Sequence, residues 1–271
     1  MSHLPPFLTA GCALLIGSLV ALPWSGFQWR LAIVPAKTLA LGIYGLFGYH
    51  FLLFLAFRTA PAVQANLVNY LWPLLIVVLA PLFHKNSRLH LRQVLAALAG
   101  LTGAVLVMTN GQAIATDFNL GYLAALASAF IWATYSLMTQ RVAAFHTAAI
   151  GYFGFVSGIL ALICHFLLET SVALSLNDAG LLTWMGLGPL GLAFYLWDAA
   201  LKNGNAQHIG LLSFLTPLCS TLLLLIDRQE ALTSLVAWAS VLIVGGAWLG
   251  RPQNTNEAAN DPQFEIKSTH T

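Results

Sequence analysis

The sequence predicts an all-α polytopic membrane protein built from two related halves, and three observations carry that prediction. First, 59% of the 271 residues are hydrophobic and only 7% are charged, with a mean hydropathy of +0.80. A soluble domain carries roughly a quarter charged residues, so this chain has too little polar surface to stand alone in water. Second, the apolar residues fall into nine stretches at about 5–24, 36–57, 62–83, 91–109, 119–140, 147–167, 180–202, 206–226 and 233–250. Each approaches the ~20 residues that a helix needs to cross a bilayer. Third, a proline-kinked polar motif occurs twice: Asn66-Leu-Val-Asn-Tyr-Leu-Trp-Pro73 has a later copy ending at Pro217, 144 residues on (217 − 73).

The first stretch, Leu4 to Leu22, lacks the basic flank of a signal peptide. Leu8-Thr-Ala-Gly-Cys12 looks like a lipoprotein cleavage site, but no hydrophobic region precedes it, so the segment reads as a spanning helix. Stretch 36–57 carries Tyr44, Tyr49 and His50; His50 suits either a proton carrier or a neutral, hydrogen-bonded core histidine. In stretch 62–83, Asn66, Asn69, Tyr70 and Pro73 recur at i, i+3, i+4 and i+7 and form one polar-aromatic stripe with Trp72 on its flank. Pro73 has no N–H, which deprives the Asn69 carbonyl of its helical partner. Hydrocarbon offers no substitute, so this face must meet protein or a water-filled cavity.

Ala96, Gly100 and Ala104 make a small-residue row on 91–109, Ala125 and Ala129 make another on 119–140, and Gly245-Gly246 allows a close approach near the end of the last stretch. Stretch 119–140 also shows Ser128, Trp132, Tyr135 and Thr139 at i, i+4, i+7 and i+11, a second polar-aromatic stripe. Gly186-Leu-Gly-Pro189 interrupts the next-but-one stretch and releases the Met185 carbonyl; both a substrate path and a kinked core helix fit it. Tyr195, Trp197 and Asp198 follow. Asp198 is the one acidic residue well inside a span and so a functional candidate, although Lys202 four residues on offers an i, i+4 pair. Tyr44, Trp24, Trp29 and Trp184 fit interfacial belts. Tyr49, Tyr70, Trp72 and Trp132 lie nearer mid-span, where cavity lining and helix packing are the competing readings.

The 144-residue shift also aligns Tyr70 with Phe214, Asn69 with Ser213, Ala62 with Ala206 and Arg58 with Lys202. Gly103-Ala-Val-Leu aligns with Gly246-Ala-Trp-Leu after a one-residue gap. The expected organisation is a first repeat over 1–110, a second over 111–250, and a disordered polar tail over 251–271. Stretch 119–140 finds no mate under the shift. Five spans per repeat is odd, so the repeats are expected to be inverted and a full set to number ten. The expectation is that the chain shown lacks its first helix, with a nine-span variant as the alternative.

Placing the 25–35 loop in the cytoplasm puts Arg30, Lys37, Lys85, Arg88, Arg92, Arg141, Lys202, Arg251 and Lys267 inside and leaves Arg58 and Arg228 outside. That positive-inside bias makes the C-terminus cytoplasmic. Cys12, Cys164 and Cys219 show no metal-ligand or disulfide spacing, and no catalytic triad, phosphate loop or basic nucleic-acid patch is present in the sequence. No enzyme activity, cofactor, metal or nucleic-acid partner is expected. No span has the early central glutamate of a proton-antiporting multidrug pump.

Asn69-Tyr-Leu-Trp-Pro73, Phe130-Ile-Trp-Ala-Thr-Tyr135 and Gly204-Asn-Ala-Gln-His-Ile-Gly-Leu-Leu-Ser-Phe-Leu-Thr-Pro217 together resemble the aromatic amino acid exporter family, in the EamA-type branch of the drug/metabolite transporter superfamily. The likeness covers nearly all of 5–250. It implies ten helices in two inverted five-helix repeats around a central cavity, with amino acids exported across the bacterial inner membrane. The family's cavity aromatics fall on Tyr49, Tyr70, Trp72 and Trp132 here. The absent first helix, which helps to wall the cavity in the family, is the departure. The expected activity is alternating-access export of amino acids, aromatic ones in particular, by a monomer in the bilayer; another small metabolite or drug-like compound on the same fold is the alternative. A non-transporting scaffold would not need duplicated kinked helices. The expected substrate contacts are Tyr49, His50, Asn66, Asn69, Tyr70, Trp72, Trp132, Tyr135, Tyr195 and Ser213. Aromatic rings would stack the substrate side chain, while Asn66, Asn69, Ser213 and the carbonyls released by Pro73 and Pro217 receive its ammonium group.

Overall fold

The computed structural model describes residues 3–84, 88–112, 119–229 and 231–251. Lys85 and Lys267 of the charge pattern, and the polar tail beyond Arg251, lie outside the described residues. The described residues form helices and connecting turns, with no strand among them. In chain order the helices are α1 (Pro6–Trp24), α2 (Ala36–Thr59), α3 (Ala62–Phe83), α4 (Leu91–Thr109), α5 (Leu120–Met138), α6 (Ala149–Leu168), α7 (Leu176–Asn203), α8 (Ala206–Asp227) and α9 (Ser234–Leu249). The first eight are long and apolar enough to cross a membrane, and α9 is a shorter apolar helix of 16 residues. Side-chain oxygens start several of them: Asn119, Ser175, Asn205 and Thr233 each accept a backbone N–H at a helix N-terminus.

Four helices are interrupted at mid-length. α2 passes through a π-helical segment at Tyr44–Gly48, and α7 through another at Gly188–Leu192, 144 residues later (188 − 44). α3 breaks between Ala62–Asn69 and Trp72–Phe83, and α8 breaks between Ala206–Leu212 and Leu215–Asp227. The kinks expected at Pro73 and Pro217 are therefore full breaks that fall just before each proline. Proline fits the first turn of a helix, where no intrahelical N–H is needed, and each ring sits in the first turn of its second half-helix. At the first break the Tyr70 N–H donates to the Asn66 carbonyl at 2.9 Å and the Leu71 N–H to Val68 at 3.1 Å.

Helices related by the 144-residue shift pack directly on each other, α1 on α6 and α4 on α9, while α5 covers α2 and α3. Small residues permit these crossings. A Cβ on Gly246 would lie 2.7 Å from the Ala96 carbonyl, and one on Gly103 would lie 2.9 Å from that of Ala239. Gly245 faces open space, so Gly246 alone makes the expected close approach. Gly17 of α1 sits against the interruption of α7, with the carbonyls of Gly186 and Leu190 each 2.8 Å from where its Cβ would be. The Gly186–Pro189 break thus serves a close helix crossing. At the other end of α1, the buried Glu169 carboxylate accepts the Phe7 N–H at 3.1 Å and the Leu8 N–H at 3.3 Å, and His165 Nδ1 lies 2.9 Å away. A carboxylate at a helix N-terminus satisfies orphan donors and the helix dipole together.

Candidate substrate site

The indole of Trp132, 7% exposed on α5, lies between both broken-helix pairs. Its ring centroid is 5.2 Å from Tyr49 of α2, 6.4 Å from Trp72 of α3, 5.5 Å from Phe194 and 6.0 Å from Trp197 of α7, and 5.4 Å from Tyr135 on its own helix. Trp72 and Trp197 meet edge to face at 5.3 Å. These separations fall in the range where aromatic pairs attract beyond simple burial. A substrate ring can enter such a cluster by exchanging one ring contact for another.

The two predicted stripes meet beneath these rings. Asn69 Nδ2 donates to the Tyr49 hydroxyl at 3.1 Å, and Ser128 Oγ donates to Asn69 Oδ1 at 2.8 Å. Asn69 is 3% exposed and Ser128 fully buried, so the network meets the requirement that buried polar groups be paired. His50 leaves the π-helical segment with its Nδ1 2.6 Å from the Leu46 carbonyl, which can only accept; Nδ1 therefore carries a proton. Its ring packs on Tyr49 at 5.0 Å and on Phe194 at 5.9 Å. Trp197 Nε1 donates to the Ser136 hydroxyl at 3.1 Å, which fixes the indole.

Asp198 follows on the same helix. Lys202 Nζ donates to its Oδ2 at 2.5 Å, so the i, i+4 pair exists. That ammonium also reaches the Thr147 hydroxyl at 3.1 Å and stands 4.0 Å over the Phe145 ring.

Of the ten expected contacts, Tyr49, His50, Asn69, Trp72, Trp132 and Tyr135 are brought together. Asn66 is half-buried on α3, nearly one turn before Asn69. Tyr70 packs beside Leu74 on the separate core formed with Leu211 and Phe214. The Tyr195 hydroxyl lies 3.2 Å from the carbonyls of Gly17 and Ser18, and its ring meets Trp24 at 5.6 Å. Ser213 Oγ donates to the Gly210 carbonyl of its own helix at 2.5 Å. Phe194 and Trp197 belong to the cluster but were not among the expected contacts. The repeat carried the missing signal, since Phe194 stands 144 residues after His50 (194 − 50) and Trp197 lies nearly one turn further on. A shallow cleft of about 490 Å³ lies elsewhere, lined by Leu75, Leu123, Leu126, Ala127, Phe130 and Ile131.

Membrane helices interrupted at mid-length around a buried polar-aromatic centre are the build of many membrane transporters. The chain belongs to the EamA-like transporter family, which it matches over residues 1–109 and 119–250. It is 39% identical over 249 residues to the aromatic amino acid exporter YddG of Ancylobacter novellus, covering 90% of this chain and 86% of that one. The aromatic amino acid exporter YddG of Salmonella typhimurium is 30% identical over 201 residues, 69% of this chain and 66% of that protein. A crystal structure 38% identical in sequence superposes with a TM-score of 0.83, covering 92% of this chain and 88% of the other.

Proposed function

We propose that the protein exports amino acids, aromatic ones in particular, across the bacterial inner membrane by alternating access. The observation that carries this reading is Trp132 in contact with five other rings drawn from α2, α3, α5 and α7. Relatives bearing the name aromatic amino acid exporter support it. The moving parts are two inverted repeats, consistent with the two matched segments and with interruptions at equal positions in α2 and α7. Pairing of like helices, α1 with α6 and α4 with α9, fits a two-fold relation, as does the contact of His50 with its counterpart Phe194. The positive-inside bias places the C-terminus in the cytoplasm, and the carrier acts as a monomer.

Efflux from proteoliposomes loaded with a labelled panel tests the reading. Phenylalanine, tyrosine and tryptophan should leave faster than alanine or valine. Movement of unrelated metabolites with no amino-acid flux would replace it with the small-metabolite alternative.

A further inference from the structure

Along α7 the aromatic cluster runs directly into a carboxylate. Phe194 and Trp197 touch Trp132, and Asp198 follows one turn after Phe194. Asp198 is 2% exposed, yet only one of its two oxygens is used. Oδ2 accepts from Lys202, whereas Oδ1 is buried with no hydrogen-bond partner among the described residues. A buried, half-satisfied carboxylate is costly, and native proteins seldom keep one without a use. Lys202 is itself anchored by Thr147 and Phe145. Oδ1 is therefore the end of the pair still able to accept. Tyr135, whose ring packs on Trp132, also lies within electrostatic reach of Asp198.

We infer that Asp198 Oδ1 is the acceptor for the substrate's α-ammonium group, set beside the Trp132 cluster that takes the side chain. The inference rests on the amino-acid reading above and names the residue that reads the amino end. One helical turn advances about 5.4 Å, close to the separation of ring and ammonium in an aromatic amino acid. A metal ion fits the place less well, because hard cations demand six or more oxygens and the neighbours here are rings. An organic ammonium, by contrast, gains from both a carboxylate and aromatic faces. Lys202 lies on the side that the charge pattern assigns to the cytoplasm, where an exporter must load.

Competition against labelled phenylalanine in proteoliposomes separates the two ends of the substrate. Phenethylamine keeps the ammonium and lacks the carboxylate, while 3-phenylpropionate has the reverse. The wild type should be inhibited by phenethylamine at concentrations roughly tenfold to a hundredfold below those needed for 3-phenylpropionate, the worth of one charge-assisted hydrogen bond. In Asp198→Asn that preference should fall to about twofold, and Asp198→Glu should restore most of it. Equal competition by both analogues in the wild type would overturn the inference, whether or not the variants fold. So would an Asp198→Asn protein that keeps the preference, as expected if a buried water satisfies Oδ1. Thermal stabilisation of the purified protein by phenethylamine distinguishes the two readings. Stabilisation lost in Asp198→Asn, with no phenylalanine flux in the wild type, would uphold the ammonium site and sink the export reading. Flux without Asp198-dependent stabilisation would do the opposite.

Discussion

The broken pair α2–α3 and the broken pair α7–α8 share a backbone plan and differ in chemistry. Both have a π-helical segment in the first helix and a break before a proline in the second. Yet Tyr49 corresponds to Ala193, Asn69 to Ser213 and Trp72 to Thr216 under the 144-residue shift. Asn69 reaches across to α2 and α5, while Ser213 bonds only within its own helix. In return, the second pair holds Trp197 and Asp198 where the first has Leu53 and Phe54. The helix interruption is thus duplicated and the side-chain chemistry around it is divided. Backbone interruptions depend on Gly and Pro, which tolerate any neighbour that fits. Side-chain recognition depends on residues that meet across helices, and those need not repeat.

The largest effect should come from the crossing of α1 and α7. At Gly17 a side chain would strike the carbonyls of Gly186 and Leu190 and the Gly191 Cα at 2.8 Å, all backbone. At Gly48, in the π-helical segment of α2, a side chain would meet nothing nearer than the Ile131 side chain at 3.4 Å. Gly17→Val should abolish most folded protein in detergent size-exclusion chromatography, since overpacking against immobile backbone exceeds the usual ~1–3 kcal/mol. Gly48→Val should retain a substantial folded fraction. Equal losses would mean that the two crossings are equally rigid.

Next in size is the contrast between the two polar residues at the breaks. Asn69→Ala removes the partner of the Tyr49 hydroxyl inside the protein, while Ser128 keeps the Ala125 carbonyl, and should cost ~1–3 kcal/mol for the buried group left unpaired. Ser213→Ala removes only a bond to its own helix and should cost less than about 1 kcal/mol. Thermal midpoints of the two purified variants measure the difference. A Ser213 variant as unstable as the Asn69 variant would break the asymmetry.

Trp132 probes the centre, because its ring touches both broken pairs. Trp132→Phe keeps an aromatic group but loses part of the shared surface, and aromatic pairs contribute about 0.5–1.5 kcal/mol beyond burial. Efflux of aromatic amino acids should fall by up to about tenfold, and efflux of alanine by less. Parallel losses for both would assign Trp132 to packing alone.

Much of this plan was legible because prolines and stripes are local signals. Asn66, Asn69, Tyr70 and Pro73 announced a kinked polar face without reference to any other helix, and the break fell beside them. The α5 stripe announced Ser128, Trp132 and Tyr135 in the same way. Gly186-Leu-Gly-Pro189 announced an interruption where the π-helical segment of α7 begins, but that of α2 was not legible, since Tyr44-Gly-Leu-Phe-Gly48 reads as ordinary helix and a shift in hydrogen-bond register leaves no mark on polarity. Nor was the separation of Tyr70 from Trp72, only two residues apart. The two-residue turn before Pro73 sends one into the core with Leu211 and the other to the rings. Which neighbour a buried aromatic meets is decided by tertiary packing, and composition along one helix does not contain it.

The smallest expected effect tests whether Tyr195 belongs to the substrate site or to the frame. Its counterpart under the shift is Phe51 (195 − 144), which packs on Phe7 of α1 at 5.4 Å. Tyr195 also faces α1, but adds a hydroxyl shared between the Gly17 and Ser18 carbonyls. Tyr195→Phe therefore gives the second half the residue that the first half already has. One hydroxyl hydrogen bond should be lost, worth about 0.5–1.5 kcal/mol, and both carbonyls remain available to their own helix or to water. The thermal midpoint should drop by a few degrees, while the KM for phenylalanine efflux stays within about twofold of wild type. A KM raised tenfold with an unchanged midpoint would return Tyr195 to the substrate contacts, and would show that the second broken pair supplies a recognition hydroxyl as well as a carboxylate.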